Sequence, residues 1–525
     1  MKYLNYIVVL IVALGPLTSC DDFLGDNLDP DRPVEVSMDL VMPTVLFYAV
    51  LQNYDHSEYG TYLSQCLTTA GRSQTGAYAY RSGWEFMGMN RHPQWRRHFF
   101  DVGSNANNVV RYAQADGSVN YLAVTRLIRL LSVQQTTDIF GDMPLTTAYT
   151  ENPVYESQES IYEWMENEAE ELIALFASSD VLKASNQPMT KKQDRIYGGD
   201  MAKWKQLAYA VKARILLRNL PNINTNADIC NRIIVAGENA LNGWVDPNYK
   251  FDGGNSVEKN CFWGRTNRPV NSWESRANDL DGAIPSKFLM ENMLMYDPQS
   301  ETSPDPRLKY LMKARGDEGK GIDTTYRYLE NNIGMPATHQ INWYPEFYDK
   351  SLTTDTSTIC LLTKGELHFI VAEAAYWAGD KTKALDHMKM GTRYHMNRMG
   401  VPATVIDAYM LNSSVVPGTA NLNLSHIMRE KYIAMYLQPE QWNDLRRYAY
   451  SNEGNGIQYD ERAIYPGLNR PHNLYEAYWG DENTWIQRLN YDPETEEKYN
   501  RTQLEKLGAF RNPEWLKKPM IWGRQ

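Results

Sequence analysis

The sequence predicts a mainly α-helical protein, with a tetratricopeptide-like scaffold of helical pairs and long irregular insertions that form a ligand-binding face. Three observations point to it. Apolar residues recur at helical spacing along much of the chain. The helices fall into consecutive pairs, with small residues at the crossings of one pair, Ala372, Ala375, Gly379 and Ala384. Between the pairs lie polar, aromatic-rich stretches at about 54–104, 243–285, 313–358 and 450–525, too long for simple connections. The pairs do not keep a strict period of about 34 residues, so the repeat pattern is loose. No Gly/Ser-rich or Pro-rich linker interrupts residues 34–525, which are read as one body.

The chain opens with Lys2 and an apolar run from Tyr6 to Leu14, followed by Leu17, Thr18, Ser19 and Cys20. A basic start, a short apolar run and small residues before a cysteine read as a lipoprotein signal over residues 1–19, with Cys20 lipidated. An ordinary secretory signal is the alternative. The apolar run is shorter than the roughly 20 residues needed to span a bilayer, and no later stretch reaches that length. Residues 20–33 are acidic and poor in apolar groups, and they read as an extended tether.

Helices follow in order. Tyr121–Gln135 places Leu122, Leu127, Leu130, Leu131 and Gln134 near helical spacing. Ser160 and Glu163 read as a capping box opening a helix with Ile161, Trp164, Met165, Leu172, Leu175 and Phe176. Asp200 is a candidate cap for a helix with Trp204, Leu207, Val211 and Ile215 on one face, and Ala227–Leu241 is its antiparallel partner. Glu366–Ala378 and Thr382–Arg398 form the next pair, joined at Gly379 and Asp380. Ser425–Leu437 precedes a helix over Pro439–Tyr448, where Pro439 suits a first turn.

The formal net charge of −11 argues against nucleic acid as a partner. Cys66, Cys230, Cys261 and Cys360 are scattered and read as buried free thiols. No metalloprotease, serine-hydrolase, P-loop or dinucleotide-binding motif occurs, so no catalytic residue, metal or cofactor is expected. His92 and His98 flank Arg96 and Arg97 and read as solvated. Asn278, Asp279, Asp281 and Gly282 hint at a calcium loop, but a turn is the simpler reading. The aromatic content is high, with 35 Tyr and 14 Trp, which suits a surface for sugars or interfaces.

Four further stretches carry a family resemblance. They are Asp138 to Leu145 with Gly141 and Asp142, Asp305-Pro306-Arg307-Leu308, Glu366 to Ala374, and Glu430-Lys431-Tyr432 through Trp442, Asp444, Arg446 and Arg447. In this order, behind the signal at Cys20, they resemble the SusD/RagB family of outer-membrane lipoproteins of the Bacteroidetes. The acidic residues after Cys20 resemble that group's signal for export to the outer face of the outer membrane. The resemblance implies a cell-surface binding protein that is not an enzyme. It implies a partnership with a SusC-like TonB-dependent barrel transporter, over which the chain acts as a lid, and a glycan as cargo, with oligopeptide as the alternative. The motif residues themselves read as structural. Gly141 frees a turn, Asp444 invites ion pairs with Arg446 and Arg447, and Trp442 anchors the core.

The resemblance also implies that ligand contacts lie on the insertions. The candidates are Tyr78, Tyr80, Arg81 and Trp84 in the first, and Trp263, Arg265 and Trp273 in the second. Aromatic faces stack on sugar rings, while Arg hydrogen-bonds hydroxyls or takes a peptide carboxylate. The competing reading is that these aromatics staple the insertions to the frame. Two other functions stay open, a surface glycoside hydrolase and a purely structural helical adaptor.

Overall fold

The computed structural model describes residues 36–523, apart from 72–78, 90, 183–186, 222–225, 255–258, 267–279, 281, 316–324, 453–462 and 482. Cys20, Tyr78, Trp273 and most of the Asn278–Gly282 turn therefore lie outside the described residues. The principal helices are α1 (Met38–Leu63), α2 (Asn105–Asp116), α3 (Val119–Phe140), α4 (Gln158–Ala177), α5 (Met201–Leu217), α6 (Ala227–Leu241), α7 (Lys364–Trp377), α8 (Lys381–Met399), α9 (Ala403–Met410), α10 (Leu424–Ala434), α11 (Glu440–Arg447) and α12 (Arg501–Leu507). The described strands are short, and each pairs antiparallel in a two-stranded ladder: Leu67–Thr69 with Ala283–Pro285, Met143–Pro144 with Tyr155–Glu156, and Asn248–Tyr249 with Ile359–Cys360.

The helices pack on one another largely in chain order: α3 on α4, α4 on α5, α5 on α6, α6 on α7 and α7 on α8, with α8 also on α10. Local chemistry sets their starts. Asp200 accepts hydrogen bonds from the Ala202 and Lys203 backbone, Thr363 from Glu366, and Asp380 from Lys383. Asn423 and His426 form a reciprocal capping box at α10. The box expected at Ser160 lies one turn too late. Ser157 is the cap, its hydroxyl accepting from the Ser160 backbone N–H at 3.2 Å, because the strand Tyr155–Glu156 runs directly into the helix.

A second correction concerns α1. It runs to Leu63, well into the stretch read as an insertion, and residues 93–104 are helical too. Its middle is polar yet buried, since Gln52, Asn53, Asp55, His56, Ser57 and Glu58 all lie inside the body. Gln52 and Asn53 find partners on a neighbouring helix, and Ser57 donates to the Asn53 carbonyl of its own helix. The Gln52 amide donates to Thr136 at 2.9 Å, and the Gln135 amide donates to Asn53 at 3.0 Å. Burial of polar groups is tolerated when they are hydrogen-bonded, and that pairing hides α1 from an apolar-periodicity search.

The family-like motifs meet in the interior as linked ion pairs. Arg307 binds Asp305 at 2.6 Å and Glu430 at 2.8 Å, and the Tyr409 hydroxyl donates to Glu430 at 2.8 Å. Arg447 binds Glu373 at 2.7 Å and Asp444 at 2.6 Å, while Lys431 reaches the same two carboxylates at 3.3 and 3.0 Å. Arg218 bridges Asp138 and Glu440, both at 2.8 Å, and Arg214 binds Glu366 at 2.7 Å. Asp444 pairs with Arg447 but not with Arg446. Residues three apart on a helix share a face and residues two apart do not. The Arg446 guanidinium instead donates to the Asp138 and Gln487 carbonyls and lies 3.5 Å over the Trp442 ring, which is fully buried. Gly141 ends α3 at φ +87°, a left-handed value suited to glycine, and a Cβ there would run into the Arg488 guanidinium. Asp142 accepts from the Gln158 backbone at 3.0 Å, which ties this turn to α4.

Candidate functional site

A cleft of about 670 Å³ opens between residues 91–104, the loop 144–153 and residues 492–500. It joins the first and last stretches that the sequence marks as insertions. Its floor is an aromatic and carboxylate assembly built on Trp95. That ring packs against Phe140 at 5.1 Å, Tyr491 at 5.4 Å and Phe99 at 4.6 Å. The Trp95 indole donates to Glu496 at 2.9 Å, and Glu496 also accepts from the Tyr155 hydroxyl and from Asn500 at 2.7 Å. Burial, with the Glu496 charge beside it, pushes the Tyr155 phenol far above its ordinary range, so it stays a donor. Asp492 accepts from the His92 backbone at 2.6 Å and from the Glu494 and Thr495 backbone, joining the two walls.

The rim is aromatic and open to solvent. Phe100 is 61% exposed, Tyr149 45% and Tyr499 80%. Phe100 is presented by a π-helix over Arg97–Ser104, a wide turn that recurs at functional sites. Arg96 lies 4.8 Å over the Phe100 ring, and the Tyr149 hydroxyl donates to the Phe99 carbonyl at 3.1 Å. Gly103 makes this approach possible, because a side chain there would overlap the Tyr149 hydroxyl and the His98 carbonyl. Ser104, Thr495 and Asn500 add polar groups beside the rings. Exposed rings beside hydrogen-bonding groups suit a ligand with flat apolar faces and hydroxyl edges.

Of the candidates named from sequence, Arg81, Trp84, Trp263 and Arg265 lie outside the cleft lining, while Tyr78 and Trp273 are outside the described residues. Trp84 is fully buried at φ +56°, edge-on to Trp479 at 5.2 Å. Trp263 is buried against Tyr54 at 4.7 Å. Arg81 is buried, pairs with Glu58 at 2.5 Å and lies over the Tyr62 ring. These three staple their insertions to the frame and offer no open face to a ligand, which corrects the expectation. Arg265 is half exposed and pairs with Glu346 and with Asp349 at 3.3 Å. Tyr80 lies in the short helix Ala79–Ser82. His92 and His98, read as solvated, are buried, and burial lowers them to about 4 and about 3 respectively. His98 Nδ1 faces the Ser132 hydroxyl at 2.8 Å. Cys66, Cys230, Cys261 and Cys360 are free and buried, as expected. Phe100, Tyr149 and Tyr499 were not singled out from sequence, since each is one aromatic among many. The closely spaced Trp95, Phe99 and Phe100 were the available signal.

Residues 32–466 match a family termed SusD-like and described as starch-binding and associating with the outer membrane. Solved structures match over nearly the whole chain. A SusD/RagB family protein from Bacteroides thetaiotaomicron is 17% identical with a TM-score of 0.68, covering 93% of this chain and 99% of its own. A SusD homologue from Bacteroides uniformis is 17% identical with a TM-score of 0.67, with the same coverage. A chitin-binding protein is 20% identical with a TM-score of 0.63, covering 92% of this chain and 98% of its own. No curated protein matches the chain. No helix among the described residues is long and apolar enough to cross a membrane.

Proposed function

Because the chain belongs to the SusD-like family of starch-binding proteins that associate with the outer membrane, we propose that it captures a glycan in the cleft rimmed by Phe100, Tyr149 and Tyr499. The observation that carries this reading is the pairing of three exposed rings with a fixed polar floor in one open space of about 670 Å³. Sugar rings present apolar faces to aromatics and hydroxyls to polar groups, so both parts of the cleft are used.

The wider role follows from the address at the chain's start. Cys20 carries the lipid, residues 21–33 form the tether, and the body stands on the extracellular face of the outer membrane. There it acts as the lid of a SusC-like TonB-dependent barrel. Bound glycan favours the closed lid to the extent that it binds that state more tightly. The chain itself performs no chemistry. Oligopeptide is the second cargo class, favoured by Arg91 and Arg96 at the cleft, where a peptide carboxylate would pair.

Affinity purification of the tagged full-length lipoprotein from outer membranes is expected to bring down a large barrel protein. The purified chain is then titrated with a panel of polysaccharides and with a peptide mixture. Binding of a polysaccharide supports the glycan reading, and binding of peptides alone replaces it with the second. Binding of neither, with no barrel recovered, contradicts the proposal.

A further inference from the structure

The cleft wall that carries Tyr149 is a loop closing a very short hairpin. Its strands pair Met143 with Glu156 and Pro144 with Tyr155, and the ladder ends there. So little pairing cannot fix the connection 145–154 by itself, because even a longer isolated hairpin is marginally stable. Pro144 brings no N–H to the ladder, and the N–H groups of Leu145 and Thr146 that follow need other acceptors. Half-buried Glu156 supplies them. Its carboxylate accepts from the Leu145 N–H at 2.6 Å, from the Thr146 N–H at 2.9 Å and from the Thr146 hydroxyl.

All three of these donors belong to the loop itself, and among the described residues Glu156 forms no ion pair. Bonds to an ionised acceptor are roughly twice as strong as neutral ones, so this grip dominates the base of the loop. Further along, the Thr147 hydroxyl oxygen accepts from the Val154 N–H at 2.8 Å. The Thr150 N–H donates to the Thr147 carbonyl at 3.1 Å, closing a turn around Ala148 and Tyr149. At the tip, the single bond from the Tyr149 hydroxyl to the Phe99 carbonyl reaches the opposite wall.

We propose that Glu156 is a positioning residue for ligand capture, setting the loop so that the Tyr149 ring stands ready in the rim. This rests on the reading of the cleft as the glycan site. Glu156 is not part of the cleft lining, so it acts through the loop and touches no ligand. Pro144, Ala148, Tyr149 and Pro153 all face the cleft from this loop, and the grip at 145 and 146 fixes where they begin. A wall ordered before the ligand arrives spares binding the entropy of ordering it.

The test is a double-mutant cycle on the full-length chain, titrated with soluble starch, xylan, pectin and mannan. For the polysaccharide that the wild type binds, Glu156→Ala and Tyr149→Ala are each expected to weaken Kd about tenfold. The double variant is expected to stay at about tenfold rather than about a hundredfold, because Glu156 acts through Tyr149. Glu156→Gln keeps one acceptor oxygen and is expected to fall between wild type and Glu156→Ala, and it carries the cycle should the alanine variant not fold. Hydrogen exchange of the 145–154 amides is expected to be at least about tenfold faster in Glu156→Ala, with α3 and α4 unchanged. Unchanged affinity in both Glu156 variants, losses that multiply in the double variant, or unchanged exchange overturns the proposal. In those cases a weakened Tyr149→Ala variant leaves the glycan reading standing. A wild type that binds none of the four polysaccharides removes that reading and the proposal with it.

Discussion

Replacing Glu373 with glutamine is expected to lower the stability of the folded body by about 3–5 kcal/mol. Glu373 and Asp444 face Lys431 and Arg447 in a fully buried cluster of two anions and two cations. The Tyr448 hydroxyl adds a bond to Glu373 at 2.6 Å. The Glu373→Gln variant would leave two buried cations against one carboxylate, and an uncompensated buried charge is costly. Adding Lys431→Met restores one cation to one anion, so the double variant should recover much of the loss. Urea unfolding of the three proteins measures this. Equal losses in the single and double variants would contradict the charge-balance argument.

The same carboxylate shapes the acid limb. Burial pushes Glu373 up, but Arg447 and Lys431 outweigh it and hold the group down at about 2, against an ordinary 4.5. Its folded pKa is depressed, so its stabilisation is complete above the unfolded value and is lost as pH falls through the folded one. Wild-type stability should therefore drop between about pH 4.5 and pH 2, and more steeply than in Glu373→Gln.

Truncating both Phe100 and Tyr499 to alanine is expected to weaken glycan binding by about 2–3 kcal/mol, roughly 30- to 150-fold in Kd. Both rings are largely exposed, at 61% and 80%, so their loss removes little from the core and the melting temperature should hold. Trp84→Ala is the contrast. Its ring is wholly buried between Trp479 and Trp485, so that variant should lose stability by about 3–5 kcal/mol. Weaker binding in Trp84→Ala alone would be read through its folding, whereas weaker binding in the double rim variant reports the cleft.

The helical frame was legible because most of its helices announce themselves locally. Asp200, Thr363 and Asp380 are good caps, and α6 matches its predicted span, Ala227–Leu241. The end of α1 was not legible. The sequence marks an insertion from about residue 54, yet Gln52 and Asp55 are buried against distant partners, Gln52 on Ser132 and Thr136 and Asp55 on Gln94. The site was legible only as a region. Trp84 and Phe100 are both aromatics in one insertion, and only tertiary packing decides that Trp84 turns inward and Phe100 outward. Residues 492–500 complete the cleft from 400 positions away, which no local pattern can announce.

The most direct test of the central claim is a crystal structure of the chain with the glycan that binds in the panel. The account predicts sugar rings stacked on Phe100 and Tyr499, with hydroxyls hydrogen-bonded near Ser104, Thr495 and Asn500. A glycan lodged instead against the 243–285 insertion near Arg265, with the cleft of Trp95 and Glu496 empty, would contradict it.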